Sequence, residues 1–364
     1  MANKKTPGLV RRGRIWHIDK RIGQKRIQCS TETRCLEEAE AILSHVISTH
    51  HRAKFFGVRP KRLFREAATK FLTEETKKSL HNDAQALRIL DRFIGDLNLE
   101  QVHGGTLEPF VLHMREKGRS AGTINRYIAV VRRILNLAAR YWRDAETGLS
   151  WLESAPLFRL EKGFKRRPYP INWEEQKLLL SELNSDLVRA VLFLIHTGVR
   201  DQELCSLRWN WQQTDDLFLL PEQHSKNGLE RYVVLNSVAQ SVLEQQKGKD
   251  PFRVFPRSRV YSSGWKRARE RAANRYETEF GEECPWGFRH LRIHDLRHTF
   301  GRRVRAAGWS NEDRKDLLGH KNGDITTHYS RVEIDHLREV VESIVRKNSY
   351  NSPTLKVVGD RSWD

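Results

Sequence analysis

Five side chains in the second half of the chain are of types that can act on a phosphate ester. Arg200 stands in TGVRDQEL, just after a glycine, and His294 and Arg297 stand three residues apart in HDLRHTF. His320 follows Arg297 by 23 residues, and Tyr329 follows His320 by nine. Guanidinium groups can donate paired hydrogen bonds to phosphate oxygens, and nearby positive charge favours the phenolate form of a tyrosine. The set predicts phosphoryl transfer with Tyr329 as nucleophile, although each residue alone has an ordinary structural explanation.

Two further residues complete the predicted site. Lys226 precedes Asn227-Gly228, a dipeptide between two strand-like stretches that is the strongest short signal for a hairpin turn. An amine at this tip can protonate a departing oxygen as general acid. Glu203 follows Arg200 by about one helical turn and is predicted to orient that part of the site. Because two guanidinium groups can stabilise the charge that a metal ion stabilises in other phosphoryl-transfer sites, we expect no metal and no other cofactor.

The charge of the chain indicates a polyanionic partner. Its 364 residues include 65 lysines and arginines against 46 aspartates and glutamates, a formal net charge of +19. Counterion release favours the binding of such a chain to nucleic acid, and an anionic membrane surface is the rival interpretation. No apolar stretch approaches the length of about 18 residues that a membrane span needs. We therefore expect double-stranded DNA as partner, no membrane association and a soluble intracellular protein.

The four cysteines give no indication of a disulfide framework or a zinc site. They are scattered along the chain without a CxxC pair, at Cys29, Cys35, Cys205 and Cys284. We interpret them as free thiols in a reducing compartment.

Periodicity along the chain predicts a multidomain, mainly α-helical protein. Residues 1–58 suit a small β-sheet covered by one helix, and residues 59–146 suit an all-helical domain. Residues 147–170 lose periodicity and are predicted to be an exposed linker. Residues 171–347 are predicted to form an α+β domain that carries the site, a small β-sheet and a C-terminal helix. Residues 348–364 form a tail with one short strand-like stretch.

Basic residues outside the predicted active site are expected to contact DNA. A basic helix face can lie along phosphates, and a merely solvated face is the alternative. The predicted contacts are Arg11, Arg12 and Arg14 near the N-terminus, Arg126, Arg132 and Arg133 on one helix, and Lys165, Arg166 and Arg167 in the linker.

The catalytic candidates carry a resemblance to a known family. The chain resembles the tyrosine recombinases of the phage-integrase type in the order and spacing of six residues: Arg200, Lys226, His294, Arg297, His320 and Tyr329. The resemblance of this part covers about residues 165–346, and TINRYIAVVRRILNLA is similar to the helical core-binding domain of the family. The N-terminal module resembles the arm-site DNA-binding domain of larger phage integrases in layout alone.

The resemblance implies a site-specific DNA recombinase that cleaves and rejoins DNA through a covalent 3′-phosphotyrosyl intermediate. Such an enzyme integrates or excises a mobile element such as a prophage, without ATP. The resemblance also implies that His294 assists proton removal and that Lys226 protonates the 5′-hydroxyl leaving group. It places the protein in the bacterial cytoplasm, associated with the nucleoid.

The resemblance further implies a homotetramer on two DNA sites, with accessory DNA-bending and directionality proteins as further partners. The C-terminal helix would link the subunits, because its apolar stripe needs a groove to receive it. That stripe consists of Ile334, Leu337, Val341 and Ile344. Folding of this helix back onto its own domain is the alternative.

Three other functions fit part of the pattern. A resolvase-type tyrosine recombinase shares the chemistry and differs in its DNA sites. A type IB topoisomerase uses nearly the same residue types, but the multidomain arrangement and the helix after Tyr329 argue against it. A non-catalytic DNA-binding regulator predicts the loss of catalytic residues, and all six are present. The N-terminal module favours an integrase.

Overall fold

The structure of this chain is a computed structural model that describes residues 6–22, 25–145, 147–164, 166–225, 228–319 and 331–346. By its contacts the chain divides into two compact units, residues 1–165 and 166–364. Within the described ranges, no helix has both the length and the apolar character that crossing a membrane requires.

The first unit begins with a three-stranded antiparallel sheet and one helix. The strands are β1 (Leu9–Arg12), β2 (Ile15–Ile22) and β3 (Lys25–Ser30), in the order β1-β2-β3, and the helix is α1 (Leu36–Phe56). Alternation of apolar and polar residues places Ile18 and Ile27 on one sheet face, where they pack with Leu43 of α1. The small sheet is thus covered on one side by one helix.

Four helices build the remainder of the first unit: α2 (Phe64–Glu74), α3 (Leu80–Ile94), α4 (Gly104–Glu116) and α5 (Ala121–Arg140). The Ser120 hydroxyl accepts a hydrogen bond from the backbone N–H of Thr123 and caps α5. The apolar stripe of α5 is buried, while its arginines lie outside the core. The stretch that the sequence predicts as a linker contributes Leu152 and Phe158 to this core.

The second unit is an α+β arrangement around one buried helix. Its elements in chain order are α6 (Trp173–Glu182), α7 (Ser185–Thr197), α8 (Asp201–Ser206), β4 (Gln212–Thr214), β5 (Leu217–Leu220), β6 (Arg231–Val234), α9 (Ser237–Glu244), α10 (Ser263–Phe280), α11 (Trp286–Arg289), α12 (Ile293–Ala306), α13 (Asn311–Leu318) and α14 (Arg331–Glu342). Every residue of α7 from 187 to 197 is buried, and the helix packs against α9 and α12. A sequence that is apolar nearly all round the helix requires such burial.

A glycine ends α7 and turns the chain into the predicted site. Gly198 has a φ of +64°, and a Cβ atom there would lie 2.5 Å from Cδ1 of Phe300. The position therefore needs glycine both for its left-handed conformation and for close packing against α12.

The strands β4, β5 and β6 form an antiparallel sheet in that order. The chain between β5 and β6 includes a short 3₁₀ turn at Glu222–His224. The connection is thus longer than the tight two-residue turn that Asn227-Gly228 predicts, and Lys226 and Asn227 lie outside the described residues.

The C-terminal helix α14 packs on its own unit. Leu337, Val340, Val341 and Ile344 are buried in a cluster with apolar residues of α12 and α13. Arg338 pairs with Asp216 at 2.6 Å, and the Glu342 carboxylate accepts a 2.6 Å hydrogen bond from the Ser237 hydroxyl. The helix therefore folds back onto its own unit, which is the alternative to docking on a neighbouring subunit. The predicted tail lies outside the described residues.

Acid should destabilise the second unit through His196, a fully buried residue of α7. Burial, followed by the charge of Arg303, lowers the pKa of His196 to about 3. The unfolded chain takes up a proton on this histidine near pH 6.5, so stability is fully present above that pH and falls as the pH decreases toward 3. We expect a loss of about 2 kcal/mol between pH 7 and pH 5.

The measurement is urea unfolding of the full chain at both pH values, followed by tryptophan fluorescence. His196→Asn keeps an acceptor near the position of Nδ1 for Asn236 and should remove that part of the pH dependence. His81→Asn, at an exposed histidine, is the control and should keep it. Equal pH dependence in wild type and His196→Asn would contradict the prediction.

Candidate active site

Three of the six catalytic candidates are described, and the structure brings all three together. Arg200, His294 and Arg297 line one pocket of about 630 Å³ in the second unit. Lys226, His320 and Tyr329 lie outside the described residues. The pocket also contains Leu318, the last residue of α13. The two described arginines and the histidine thus share one cavity, as their predicted chemistry requires.

Arg200 is positioned by the turn after α7 and by Glu203. It is the N-cap residue of α8, and its backbone N–H donates to Oε2 of Glu203 at 2.8 Å. Its Nη1 atom donates to Oε1 of the same carboxylate at 2.6 Å. Glu203 therefore satisfies the helix N-terminus and holds the guanidinium group at once.

Arg297 is buried on α12, and backbone carbonyls receive its hydrogen bonds. Nη1 donates to the Gly198 carbonyl at 2.5 Å, and Nη2 donates to the Leu318 carbonyl. Burial, and then the positive charges of Arg200 and Arg231, lower the pKa of Arg297 to about 9. Burial and like charge both disfavour the cationic form of Arg297. An anion bound in the pocket would offset this cost.

His294 lies on the same helix, beside a second histidine. The His294 and His298 rings meet edge to face, with centroids 4.9 Å apart. Burial, followed by the charges of His298, Arg297 and Arg200, lowers the pKa of His294. The imidazole is therefore largely neutral near pH 7, which leaves a ring nitrogen able to accept a proton.

Arg231 is a buried residue of this region that the sequence does not single out. Its Nη2 atom donates to Oε2 of Glu203 at 2.7 Å, and its Nη1 atom donates to the Leu317 carbonyl at 3.1 Å. Burial alone would raise the pKa of Glu203, but the charge of Arg231 and the bonds from Arg200 outweigh it and lower the pKa to about 2. The one signal in the sequence is an arginine at a strand position that alternates with buried Val233.

Further basic side chains line the same pocket and were also missed. They are Arg302, Arg305, Arg314 and Lys315, on α12 and α13. The sequence shows Arg302 and Arg305 in GRRVRAAG and Arg314 and Lys315 in NEDRKDLL, but periodicity alone does not assign these two stretches to one cavity. Together they extend the positive charge of the pocket beyond the three central residues.

The predicted DNA contacts of the first unit lie on exposed surfaces. Arg11, Arg12 and Arg14 are exposed on and just after β1. Arg132 and Arg133 line an open pocket of about 450 Å³ on α5. Arg126, at the start of the same helix, lines a second pocket of about 380 Å³. These positions remain accessible to a ligand in the first unit.

Arg166 departs from the expectation of an exposed basic linker. Its side chain is 8% exposed and pairs with Asp295 at 2.9 Å. It also donates to the Gly287 carbonyl and lies over the Trp286 ring, 5.5 Å from the centroid. The guanidinium group is thus occupied within the second unit, and we remove it from the predicted DNA contacts. Arg167 is exposed, and Lys165 lies outside the described residues.

Two family models match this chain. The model of the phage integrase family matches residues 174–336, and the model of the phage integrase SAM-like domain matches residues 62–142. These ranges include the described catalytic candidates and all of α5.

Known proteins are similar over most of the chain. The integrase of Salmonella phage P22 is 23% identical over 374 aligned residues, which cover 92% of this chain and 94% of the phage protein. The tyrosine recombinase XerC of Bacillus licheniformis is 29% identical and covers 70% of this chain and 85% of its own length. A lambda integrase tetramer bound to a Holliday junction shares the fold, with a TM-score of 0.50, 15% identity, and coverage of 91% of this chain and all of that one (100%).

His294 should titrate below the ordinary histidine range in the free protein. Burial and three neighbouring positive groups disfavour its imidazolium form. We expect its NMR titration midpoint below about 6.5, with the resonance assigned by its loss in His294→Gln. Arg200→Met should raise the midpoint because it removes one of the positive charges. A midpoint at or above the ordinary value in wild type would show that the pocket does not favour the neutral ring.

Proposed function

Because the chain belongs to the phage integrase family of tyrosine recombinases, we propose that its pocket is the active site of an integrase that moves a mobile element such as a prophage. The enzyme is a site-specific recombinase that cleaves and rejoins DNA. The observation that carries the proposed site is the meeting of Arg200, His294 and Arg297 in one cavity, with Arg297 bonded to the last carbonyl of α13. His320 follows that point by two residues and Tyr329 by eleven.

In the proposed reaction, the Tyr329 oxygen attacks the scissile phosphorus. A bond forms between that oxygen and phosphorus, the bond to the 5′ oxygen breaks, and Lys226 supplies the proton that the leaving 5′-hydroxyl takes up. Neutral His294 can accept the tyrosine proton. Arg200, Arg297 and His320 hold the non-bridging oxygens, whose negative charge increases in the transition state. Attack by a 5′-hydroxyl of a second DNA end reverses these steps and joins the strands.

We propose double-stranded DNA as the partner of both units. In the first unit, the exposed arginines on β1 and α5 suit phosphate contacts. In the second unit, the basic side chains along α12 and α13 suit such contacts around the proposed site. Residues 1–58 would act as an arm-type DNA-binding module, residues 59–146 as a core-binding domain, and residues 171–347 as the catalytic domain. The proposed place of action is the bacterial nucleoid, together with accessory DNA-bending and directionality proteins.

A resolvase-type recombinase is the second candidate. It shares the chemistry, and the chain aligns with XerC over 70% of its length. We favour an integrase because the similarity to the P22 integrase covers 92% of the chain. A recombination assay with the two ends of a mobile element, compared with a direct repeat of one site, separates the two functions.

Tyr329→Phe should abolish covalent attachment to DNA. The substrate is a duplex that carries the end of the element, with a nick beside the scissile phosphate so that the cleaved strand cannot be rejoined. The reaction contains EDTA and no ATP. Wild type should give a protein–DNA adduct that survives denaturant, and Tyr329→Phe should give none because the nucleophilic oxygen is gone.

Tyr261→Phe, at an exposed tyrosine outside the proposed site, is the matched control and should form the adduct like wild type. An adduct that persists in Tyr329→Phe would place the nucleophile elsewhere. Tight DNA binding with no adduct in wild type would favour a non-catalytic regulator, and relaxation of supercoils without recombination would favour a topoisomerase.

We also propose that four copies assemble on two DNA sites by exchanging α14. An identical helix from a neighbour can make every contact that α14 makes on its own unit, because exchange of an identical element preserves its contacts. The lambda integrase tetramer on a Holliday junction supports such an assembly for a protein of this fold.

Locking α14 on its own unit should block assembly without blocking DNA binding. Ser237 and Glu342 share a 2.6 Å hydrogen bond, so cysteines at both positions can be joined by a short bis-maleimide. Cys29 and Cys35 are exposed and would be replaced by serine first. We expect the bridged chain to bind one site but to form no tetramer on a junction, as measured by native gel and light scattering. The unbridged chain is the control, and tetramers of bridged chains would rule out exchange.

A further inference from the structure

We propose that Arg231 is a positioning residue for DNA strand cleavage, which compensates the charge of Glu203 and fixes the end of α13 beside the pocket. The inference deepens the proposed function of the site and rests on it. Arg231 lies on β6, five residues after Lys226, and does not line the pocket itself. Its effect on the reaction must therefore pass through other residues.

The first of these residues is Glu203, which two arginines share. Arg200 donates to Oε1 at 2.6 Å and Arg231 donates to Oε2 at 2.7 Å, and the carboxylate is 2% exposed. A buried carboxylate with one cationic partner would neutralise that partner. With two partners, the carboxylate is compensated by Arg231 and leaves the charge of Arg200 available to a phosphate.

Charge counting makes the consequence specific. Arg200, Arg231 and Arg297 bring three positive charges to this buried region, and Glu203 brings one negative charge. The excess of two matches the pentacoordinate transition state, which carries about one more negative charge than a phosphodiester. Without Arg231 the excess would fall to one. Arg231 therefore contributes more to the transition state than to the bound ground state.

The second contact of Arg231 lies at the end of α13. Its Nη1 atom donates to the Leu317 carbonyl at 3.1 Å. A Cβ atom on Gly319 would lie 2.3 Å from Cδ of Arg231, so the backbone runs directly along this side chain. His320 is the next residue in the chain. Arg231 and Arg297 thus hold adjacent carbonyls, at Leu317 and Leu318, just before a proposed catalytic residue.

The test compares single-turnover cleavage of the nicked substrate by full-length wild type, Arg231→Met, and the double variant Glu203→Gln/Arg231→Met. We expect Arg231→Met to cleave about 100-fold more slowly than wild type, which is the usual effect of removing one preorganised charge contact. Its DNA affinity should stay within about twofold of wild type. The double variant restores the excess of two charges and should cleave faster than Arg231→Met. Arg259→Met, at an exposed arginine outside the site, is the matched control and should cleave at the wild-type rate.

A second substrate separates electrostatic positioning from a purely structural role. A methylphosphonate at the scissile position replaces one charged oxygen with a methyl group. Its transition state carries less negative charge and therefore depends less on the positive charge that Arg231→Met removes. The penalty of Arg231→Met should then fall to about tenfold or less. An equal penalty on both substrates, or a double variant no faster than the single one, would overturn the proposal. If Arg231→Met does not fold, Arg231→Gln, which removes the charge but keeps a hydrogen-bond donor, carries the same substrate comparison.

The wild-type result distinguishes this proposal from the one on which it rests. If wild type forms no adduct, the proposed function fails and the role of Arg231 fails with it. If wild type forms the adduct and Arg231→Met matches its rate, the proposed function stands and the role of Arg231 alone is overturned.

Discussion

The buried guanidinium group of Arg297 joins three helices at the proposed active site. It projects from α12 and donates to the carbonyl of Gly198, after α7, and to the carbonyl of Leu318, at the end of α13. Helix ends leave backbone carbonyls without partners, and burying them unpaired is costly. Arg297 satisfies two such carbonyls with one side chain. The turn that leads to Arg200 and the end of α13, just before His320, are therefore both bonded to the guanidinium group of Arg297.

This arrangement costs stability in the free protein and provides binding free energy for an anion. The carbonyls satisfy the hydrogen bonds of Arg297 but not its charge, and Arg200 and Arg231 add like charges nearby. A phosphate in the pocket would stabilise all of these groups at once. Because the donors are already held by backbone and by Glu203, little reorganisation is needed when negative charge develops. Such preorganised charge is typical of functional sites rather than of structural cores.

Local signals in the sequence predicted much of the fold. The sequence of α7 is apolar nearly all round the helix, which indicates its burial. Asn172 followed three residues later by Glu175 is a capping-box pattern at the start of α6, where both reciprocal hydrogen bonds measure 2.8 Å. Spacing along α12 placed His294 and Arg297 on one face. Partners distant in sequence could not be predicted in this way. Arg166 pairs with Asp295 across 129 positions, and Arg231 reaches Leu317 across 86, so both depend on the assembled tertiary structure.

The position of α14 shows why an apolar stripe does not identify its own binding groove. Asn236 donates through Nδ2 to the Val341 carbonyl of α14 and to Nδ1 of His196, at 3.0 Å each. An identical helix from a neighbouring copy would complete the same bonds, so the contact free energies of the two arrangements cancel to first order. The choice then depends on effective concentration, which is high within one chain and would become comparable between chains in the proposed assembly on DNA. His196 lies in the last turn of α7, two residues before Gly198, so the helix that occupies this groove, from either copy, supports the turn from which Arg200 enters the site.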